Sequence, residues 1–382
     1  MIAAQIKAIN RKAVFDYMRT RSLRDGEDTS KAEISKQTGI SAPTMTKMAE
    51  FFLDHGLVEE GEESSISVGR PAQMLKVKPD SMYAVGFLLE GIYLYIGVVD
   101  ILGNIIYRKV LKMEPDLLKV LDQIKNCLLP AFLKESGIPR EKLVGIGMAM
   151  PVSYSTKKKT VSNGPLVKIA EEVYIGEYLE ELERKYHVPV IFDNDANAEC
   201  LGVGRKLSLF AEQEDLLLLS LGTGVGAAVM LDGKLRRGYH EKCGEIWPYI
   251  LSCDQEQEMS WENVLENQLC LSKIFEKHHI TYEDIEKELD KESKKQIVEE
   301  IARKIAAVIH NLNSLLDCKD LVICGYAVVL LGDLFLDQVK YYLKKLSPDG
   351  QTPRLRAESP FSGVSGIAGL CIEQEIQRIL EK

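Results

Sequence analysis

The stretch Lys31-Ala-Glu-Ile-Ser-Lys-Gln-Thr-Gly-Ile-Ser-Ala-Pro-Thr-Met-Thr-Lys-Met-Ala-Glu50 reads as two short helices joined at Gly39. Ser30 is placed to cap the first helix, and Glu33 completes a capping box. Gly39 supplies the left-handed residue that a sharp turn needs. Ser41 is placed to cap the second helix, and Pro43 fits its first turn. Ile34, Ile40, Met45, Met48 and Phe52 fall at spacings that turn them inward, which leaves Thr44, Lys47 and their neighbours outside. A compact pair of this kind lays one polar helix face in a DNA major groove.

The flanking segments extend this pattern. Leu57-Val-Glu-Glu60 and Met74-Leu-Lys-Val77 alternate like two strands around the turn Ser67-Val-Gly-Arg-Pro71. An Arg at the tip of such a wing can enter a minor groove, where the potential is most negative. Residues 1–20 carry Ile2, Ile6, Ile9, Val14, Phe15 and Met18 on an amphipathic pattern, a helix expected to pack on the pair. Residues 1–78 are therefore expected to form a winged helix-turn-helix. Its DNA contacts would be Ser41, Ala42, Thr44, Lys47 and Arg70, and its partner a double-stranded operator. An ordinary helical hairpin followed by a β-turn would give the same local pattern.

At 382 residues the chain has room for two or three domains, and 46% apolar content suffices for large cores. The net charge of -9 argues by itself against nucleic acid, but the first 80 residues are neutral and the remainder carries the whole excess. Sequence-independent attraction to DNA is then modest, and paired binding by a dimer would compensate. Eight cysteines are scattered without a Cys-x-x-Cys pair, nothing resembles a secretory leader, and no apolar run reaches spanning length. A reduced, cytoplasmic protein without membrane contact is expected.

From residue 79 the texture changes to alternating strands and helices. Strands are expected at 83–89, 94–100, 105–107, 143–150, 188–192, 215–221, 224–231 and 321–325. Helices are expected at 115–135, 171–186, 262–277, 283–316, 330–345 and 363–381. Two α/β lobes with a cleft between them fit this layout. The expected division is 79–197 plus 365–382 for the first lobe and 198–364 for the second. Ser220-Leu-Gly-Thr-Gly-Val-Gly226 joins two buried strands and can wrap backbone N–H groups around phosphate, although any tight hairpin can be Gly-rich. Asp193-Asn-Asp-Ala-Asn197 follows a strand at the lobe boundary. A carboxylate there can accept a proton from a sugar hydroxyl, and an Asx-rich helix cap is the plain alternative.

In order, Val190-Ile-Phe-Asp-Asn-Asp-Ala-Asn-Ala198, Leu221-Gly-Thr-Gly-Val-Gly226, Asp232-Gly-Lys-Leu-Arg-Arg-Gly238, Gly244-Glu-Ile246 and Leu321-Val-Ile-Cys-Gly325 resemble the ROK family of bacterial repressors and sugar kinases. The front module with Gly69-Arg70-Pro71 resembles the repressor branch. The resemblance implies an α/β architecture: a winged helix-turn-helix followed by a two-lobed, actin-like or ribonuclease H-like body of the sugar-kinase type. It further implies a homo-oligomer, dimer or tetramer. Carried over residue by residue, it implies a sugar effector held by Asn194, Asp195, Glu245 and Glu262, with Asn163 a further candidate. It also makes Gly222, Thr223, Gly224 and Gly226 a vestigial phosphate loop.

The departures separate repressor from kinase. Family kinases open the body with Asp-x-Gly-Gly-Thr, and the matching stretch here is Leu88-Leu-Glu-Gly-Ile92. The Asp has become Leu88, the Thr has become Ile92, and Glu90 sits where backbone must approach phosphate. Phosphoryl transfer depends on positioned stabilisation of charge, so no catalytic residue is expected, although Asp195 matches the family's base. The family's zinc pattern has His where this chain has Pro248, and Gln255 and Ser260 replace two of its cysteines. One thiolate, Cys253, cannot make a tetrahedral zinc site. Neither zinc nor ATP is expected. The reading is a sugar-controlled, sequence-specific transcriptional repressor. Its rivals are a sugar kinase with an appended DNA-binding module and a DNA-binding protein that ignores ligands.

Overall fold

Ser30 Oγ accepts from the Glu33 backbone N–H at 3.2 Å and starts α2 (Lys31–Thr38). Gly39, at φ +72°, turns the chain into α3 (Ala42–Asp54). The computed structural model describes residues 2–26, 28–61, 73–114, 116–162, 172–207, 209, 213–222, 224–251, 264–281 and 290–382. Two expected caps differ in detail. The Glu33 carboxylate accepts from Tyr17 Oη at 3.0 Å on the preceding helix. Ser41 Oγ pairs with Thr44 Oγ1 at 2.9 Å and caps no backbone N–H, because the Thr44 hydroxyl competes for it.

The first helix, α1 (Ile2–Asp25), is longer than expected and absorbs residues 21–25. It buries Val14, Phe15 and Met18 but leaves Ile6 and Ile9 exposed, so its apolar stripe is only partly used. Strands Thr29–Ser30, Met74–Val77 and Val58–Glu60 form an antiparallel sheet with Met74–Val77 in the middle. The wing tip with Arg70 lies outside the described residues.

The body holds two five-stranded sheets of one topology. The first has the order Val190–Asn194, Leu143–Met150, Tyr83–Glu90, Tyr93–Asp100, Ile105–Lys112. The second has the order Lys234–Leu235, Val225–Leu231, Leu216–Leu221, Asp320–Cys324, Arg354–Ala357. In each, the central strand, Tyr83–Glu90 or Leu216–Leu221, opens an antiparallel meander on one side and pairs with a parallel strand on the other. Continuous burial along these strands is what two covered faces require. The expected helix at 283–316 is described as Lys291–Leu316, and the one expected from 330 begins earlier, at Tyr326.

Between the sheets the helix Asp195–Lys206 lies against the C-terminal helix Phe361–Leu380. Their approach leaves no room for side chains at the crossing. A Cβ on Gly202 would lie 1.8 Å from the Ser362 carbonyl oxygen, and one on Gly366 would lie 1.9 Å from that of Ala198. The C-terminal helix also ties the front module to the body. One unbroken apolar cluster runs from Phe15, Met45 and Phe52 through Leu88 to Ile376 and Leu380.

Gly202→Ala should therefore cost about 1–3 kcal/mol in denaturant unfolding, since both helices must move apart. An unchanged unfolding midpoint would contradict so close a crossing.

Candidate effector cleft and DNA-reading surface

On α3, Met45, Met48, Ala49 and Phe52 are buried, whereas Ser41 and Ala42 at the helix start and Thr44 and Lys47 further along are exposed. The positive end of the α3 dipole opens at Ser41–Thr44, where the backbone N–H groups, Pro43 having none, suit a phosphate. Of the five expected DNA contacts, four share this surface. Arg70 lies outside the described residues.

The cleft is built where the strand Val190–Asn194 passes into the helix Asp195–Lys206. Asn194 caps that helix: its Oδ1 accepts from the Asn197 N–H at 3.2 Å, and its Nδ2 donates to the Val152 carbonyl at 3.2 Å. Beneath it, Asp193 is 2% exposed and accepts from both terminal nitrogens of Arg237 and from Asn197 Nδ2 at 3.0 Å. Arg237 follows the second sheet's edge strand, so this ion pair crosses from one lobe to the other. Asp195 stands in the first helical turn with Oδ1 accepting from the Ala196 N–H at 2.9 Å. Burial pushes its carboxyl up to about 7, and the charge of Glu245 adds to the effect.

Glu245 arrives from the second lobe. Gly244, at φ +95°, is held against the second sheet by the bond from the Ala227 N–H to its carbonyl at 2.9 Å. A Cβ there would meet the Ala227 carbonyl oxygen at 2.0 Å, so only glycine lets Glu245 reach the cleft. Glu245 Oε1 accepts from Ser153 Oγ at 2.7 Å, and burial raises its pKa. Glu266 joins them; burial and the charge of Glu245 raise its pKa, while its Oε2 accepts from the Val225 N–H at 3.4 Å. Three carboxyls, a serine hydroxyl and a backbone-anchored Asn side chain thus converge, a set of acceptors and donors suited to neighbouring hydroxyl groups. Asn163 and Glu262 lie outside the described residues.

Sequence reading missed Ser153, Glu266 and the Asp193–Arg237 pair. Asp193 and Arg237 stood in quoted motifs, in Ile-Phe-Asp-Asn-Asp and Lys-Leu-Arg-Arg-Gly, but nothing in one sequence says that they meet. Ser153 and Glu266 carried no signal.

The Gly222–Gly226 turn faces a different occupant. Glu90, 4% exposed, ends the strand Tyr83–Glu90, and its Oε1 accepts from the Tyr326 N–H at the start of the helix Tyr326–Leu346. A Cβ on Gly222 would come within 2.8 Å of the same oxygen. The Tyr93 and Tyr326 rings stack across the cleft at 5.4 Å. A helix start beside a glycine turn is where an anion would sit, and the chain's own carboxyl is there. Burial pushes Glu90 up to about 8, and the neighbouring Glu199 is also raised by burial and by Glu90. These residues do not fit a nucleotide's phosphates. Thr223 lies outside the described residues. Of the expected zinc positions, Pro248 offers no ligand, and Cys253, Gln255 and Ser260 lie outside the described residues.

An unfolded Glu ionises near pH ~4.3, whereas the folded Glu90 site keeps its proton up to about pH 8. The unfolded state therefore loses this proton first, and stability falls as pH rises through that window. Glu90→Gln should have a higher Tm than the parent at pH 8 and an equal Tm near the acidic end. A gain independent of pH would contradict this assignment.

The sequence pattern of the ROK family matches residues 93–374, and the chain belongs to that family. Over 377 residues it is 24% identical to the xylose repressor of Caldicellulosiruptor bescii, covering 92% of each chain. It is 22% identical over 290 residues to the xylose repressor of Bacillus subtilis, covering 73% of this chain and 72% of that one. The fold matches a solved ROK family transcriptional regulator, a homolog of the E. coli MLC protein, with a TM-score of 0.73 over 99% of this chain and all of the other at 18% identity. A ROK family glucokinase from Streptomyces griseus, solved with glucose and AMPPNP, matches with a TM-score of 0.61 over 75% of this chain and 98% of its own at 21% identity. The winged helix-turn-helix and two-lobed α/β body expected from sequence are the observed fold.

Proposed function

We propose that this chain is a sequence-specific transcriptional repressor whose hold on a double-stranded operator is set by a sugar bound between its lobes. The observation that carries this reading is the continuous core joining the α2–α3 pair to the lobe that presents Asn194 and Asp195. Movement at the cleft has a packed route to the reading surface. The relatives named xylose repressor, which align along almost the whole chain in one case, point to a pentose or related sugar as effector. Asn194, Asp195 and Glu245 would hold its hydroxyls, with Glu262 and Asn163 as further contacts. Ser41, Ala42, Thr44, Lys47 and Arg70 would meet DNA, and two copies would read a palindromic site. Among the described residues no helix is long and apolar enough to cross a membrane, and seven cysteines are unpaired. Both accord with a cytoplasmic regulator.

A kinase reading rests on the likeness to the glucokinase and on the presence of Asp195. Glu90 at the helix start, with Leu88 and Ile92 in place of the family's Asp and Thr, favours the regulator. Incubation with ATP and a panel of pentoses and hexoses should give no turnover. Robust sugar phosphorylation would overturn the non-enzymatic reading.

Titration of a cognate duplex with D-xylose, D-glucose and N-acetylglucosamine tests the main reading. One sugar should change apparent operator affinity by about 5–150-fold, the usual range of coupling between sites. Glu245→Ala should abolish that change and leave sugar-free DNA binding intact. No response to any sugar would remove the sensing half. Lys47→Ala should weaken binding about equally for all sequences and reduce the salt slope by about 1 if Lys47 contacts phosphate. An unchanged slope would place Lys47 off the backbone.

A further inference from the structure

The helix that begins at Asp195 ends at a charge cluster. Arg205, in its last turn, packs its guanidinium over Gly369 and lies 3.3 Å from Glu373 Oε1 on the C-terminal helix. The same oxygen accepts from Arg19 Nη1 of α1 at 2.7 Å, and Lys12 Nζ approaches Glu373 Oε2 at 3.7 Å. Asp16 completes the group through Lys12 at 2.9 Å. Burial alone would raise the Glu373 carboxyl, but Arg19, Arg205 and Lys12 hold it down to about 2.

One carboxylate thus serves two mostly buried guanidinium groups, and the network is not saturated. Arg19 Nε and Arg205 Nη1 are buried without a hydrogen-bond partner among the described residues. A partly satisfied charged network is costly and sensitive to small displacements. Close by, Arg11 Nη1 donates to the Leu380 carbonyl at 2.9 Å, and its guanidinium carbon lies 3.3 Å from the centre of the Phe51 ring on α3. Arg11 of α1 therefore links the end of the C-terminal helix to the reading helix. The Asp195–Lys206 helix cannot slide freely along it, because Gly202 and Gly366 are already in backbone contact.

We propose that Glu373 is the positioning residue that couples the effector cleft to the DNA-reading module. It gathers Arg205, at the far end of the cleft's own helix, and Arg19 of α1 into one cluster. A shift at Asn194 and Asp195 then moves Arg205 as part of a rigid helix, and Glu373 passes the displacement to α1. The inference rests on the regulator reading above, so its test uses DNA and needs no sugar. Coupling is reciprocal, and DNA bound at α3 must be felt at the cleft.

The experiment is hydrogen exchange on the full chain, with and without a duplex enriched from a random pool by the wild-type protein. In wild type, DNA should change exchange across residues 195–206. Glu373→Gln and Arg19→Ala should still bind the duplex but lose that distant change, and Arg19→Lys should restore it. A purely structural role would lower Tm in the variants yet leave the DNA-induced difference in place, which would overturn the proposal. So would a wild type that binds DNA with no change at 195–206. If no duplex is enriched, the DNA-binding reading fails first, and the coupling falls with it.

Discussion

The crossing of the Asp195–Lys206 helix with the C-terminal helix governs the architecture. Gly202 and Gly366 bring two backbones together at a distance that no other residue permits. That contact places the Asn194 cap at one end and Arg205 at the other, against a helix whose C-terminal turns form part of the front module's core. Close-packed interiors transmit strain and do not absorb it. The front module is therefore seated on the lobe by packing, and its orientation is a property of the body.

The cleft holds two neighbouring and chemically distinct regions. Acceptor and donor groups for hydroxyls converge from both lobes at Asp195, Glu245, Glu266 and Ser153. At the neighbouring helix start, Glu90 satisfies the Tyr326 N–H from within the chain. A buried carboxyl at that point fills the space beside the Gly222 turn and takes up the helix-start N–H; on the proposed reading the same lobes would keep a place for a small polyol and lose the place for a nucleotide. Asp193 with Arg237, Ser153 with Glu245 and Glu90 with Tyr326 all bridge the lobes, and a ligand seated among them would alter several of these contacts together.

Local signals were readable in the sequence because each depends on a few adjacent residues. The Ser30 cap, the Gly39 turn and the inward set Ile34, Met45, Met48 and Phe52 needed only spacing and backbone preference. The ordered motifs from Asp193 to Gly325 carried the body. What escaped depends on long-range meetings. Glu90 was legible as an obstacle to phosphate, but not as a partner of Tyr326, 236 residues away. Arg19, Glu373 and Arg205 look like ordinary surface charges until the C-terminal helix sets Glu373 between the two arginines. Ser41 failed as a cap for a smaller reason, since a second hydroxyl at Thr44 offered a competing partner that cap preferences ignore.

The most direct test of the account is the affinity of the effector sugar for the free protein and for the protein saturated with operator, measured by calorimetry on the full chain. If cleft and reading surface share one equilibrium, the two affinities differ, and by the same factor as the sugar changes operator affinity. Equal affinities for the free and DNA-bound forms would mean that the cleft and the reader act independently, and would contradict the account.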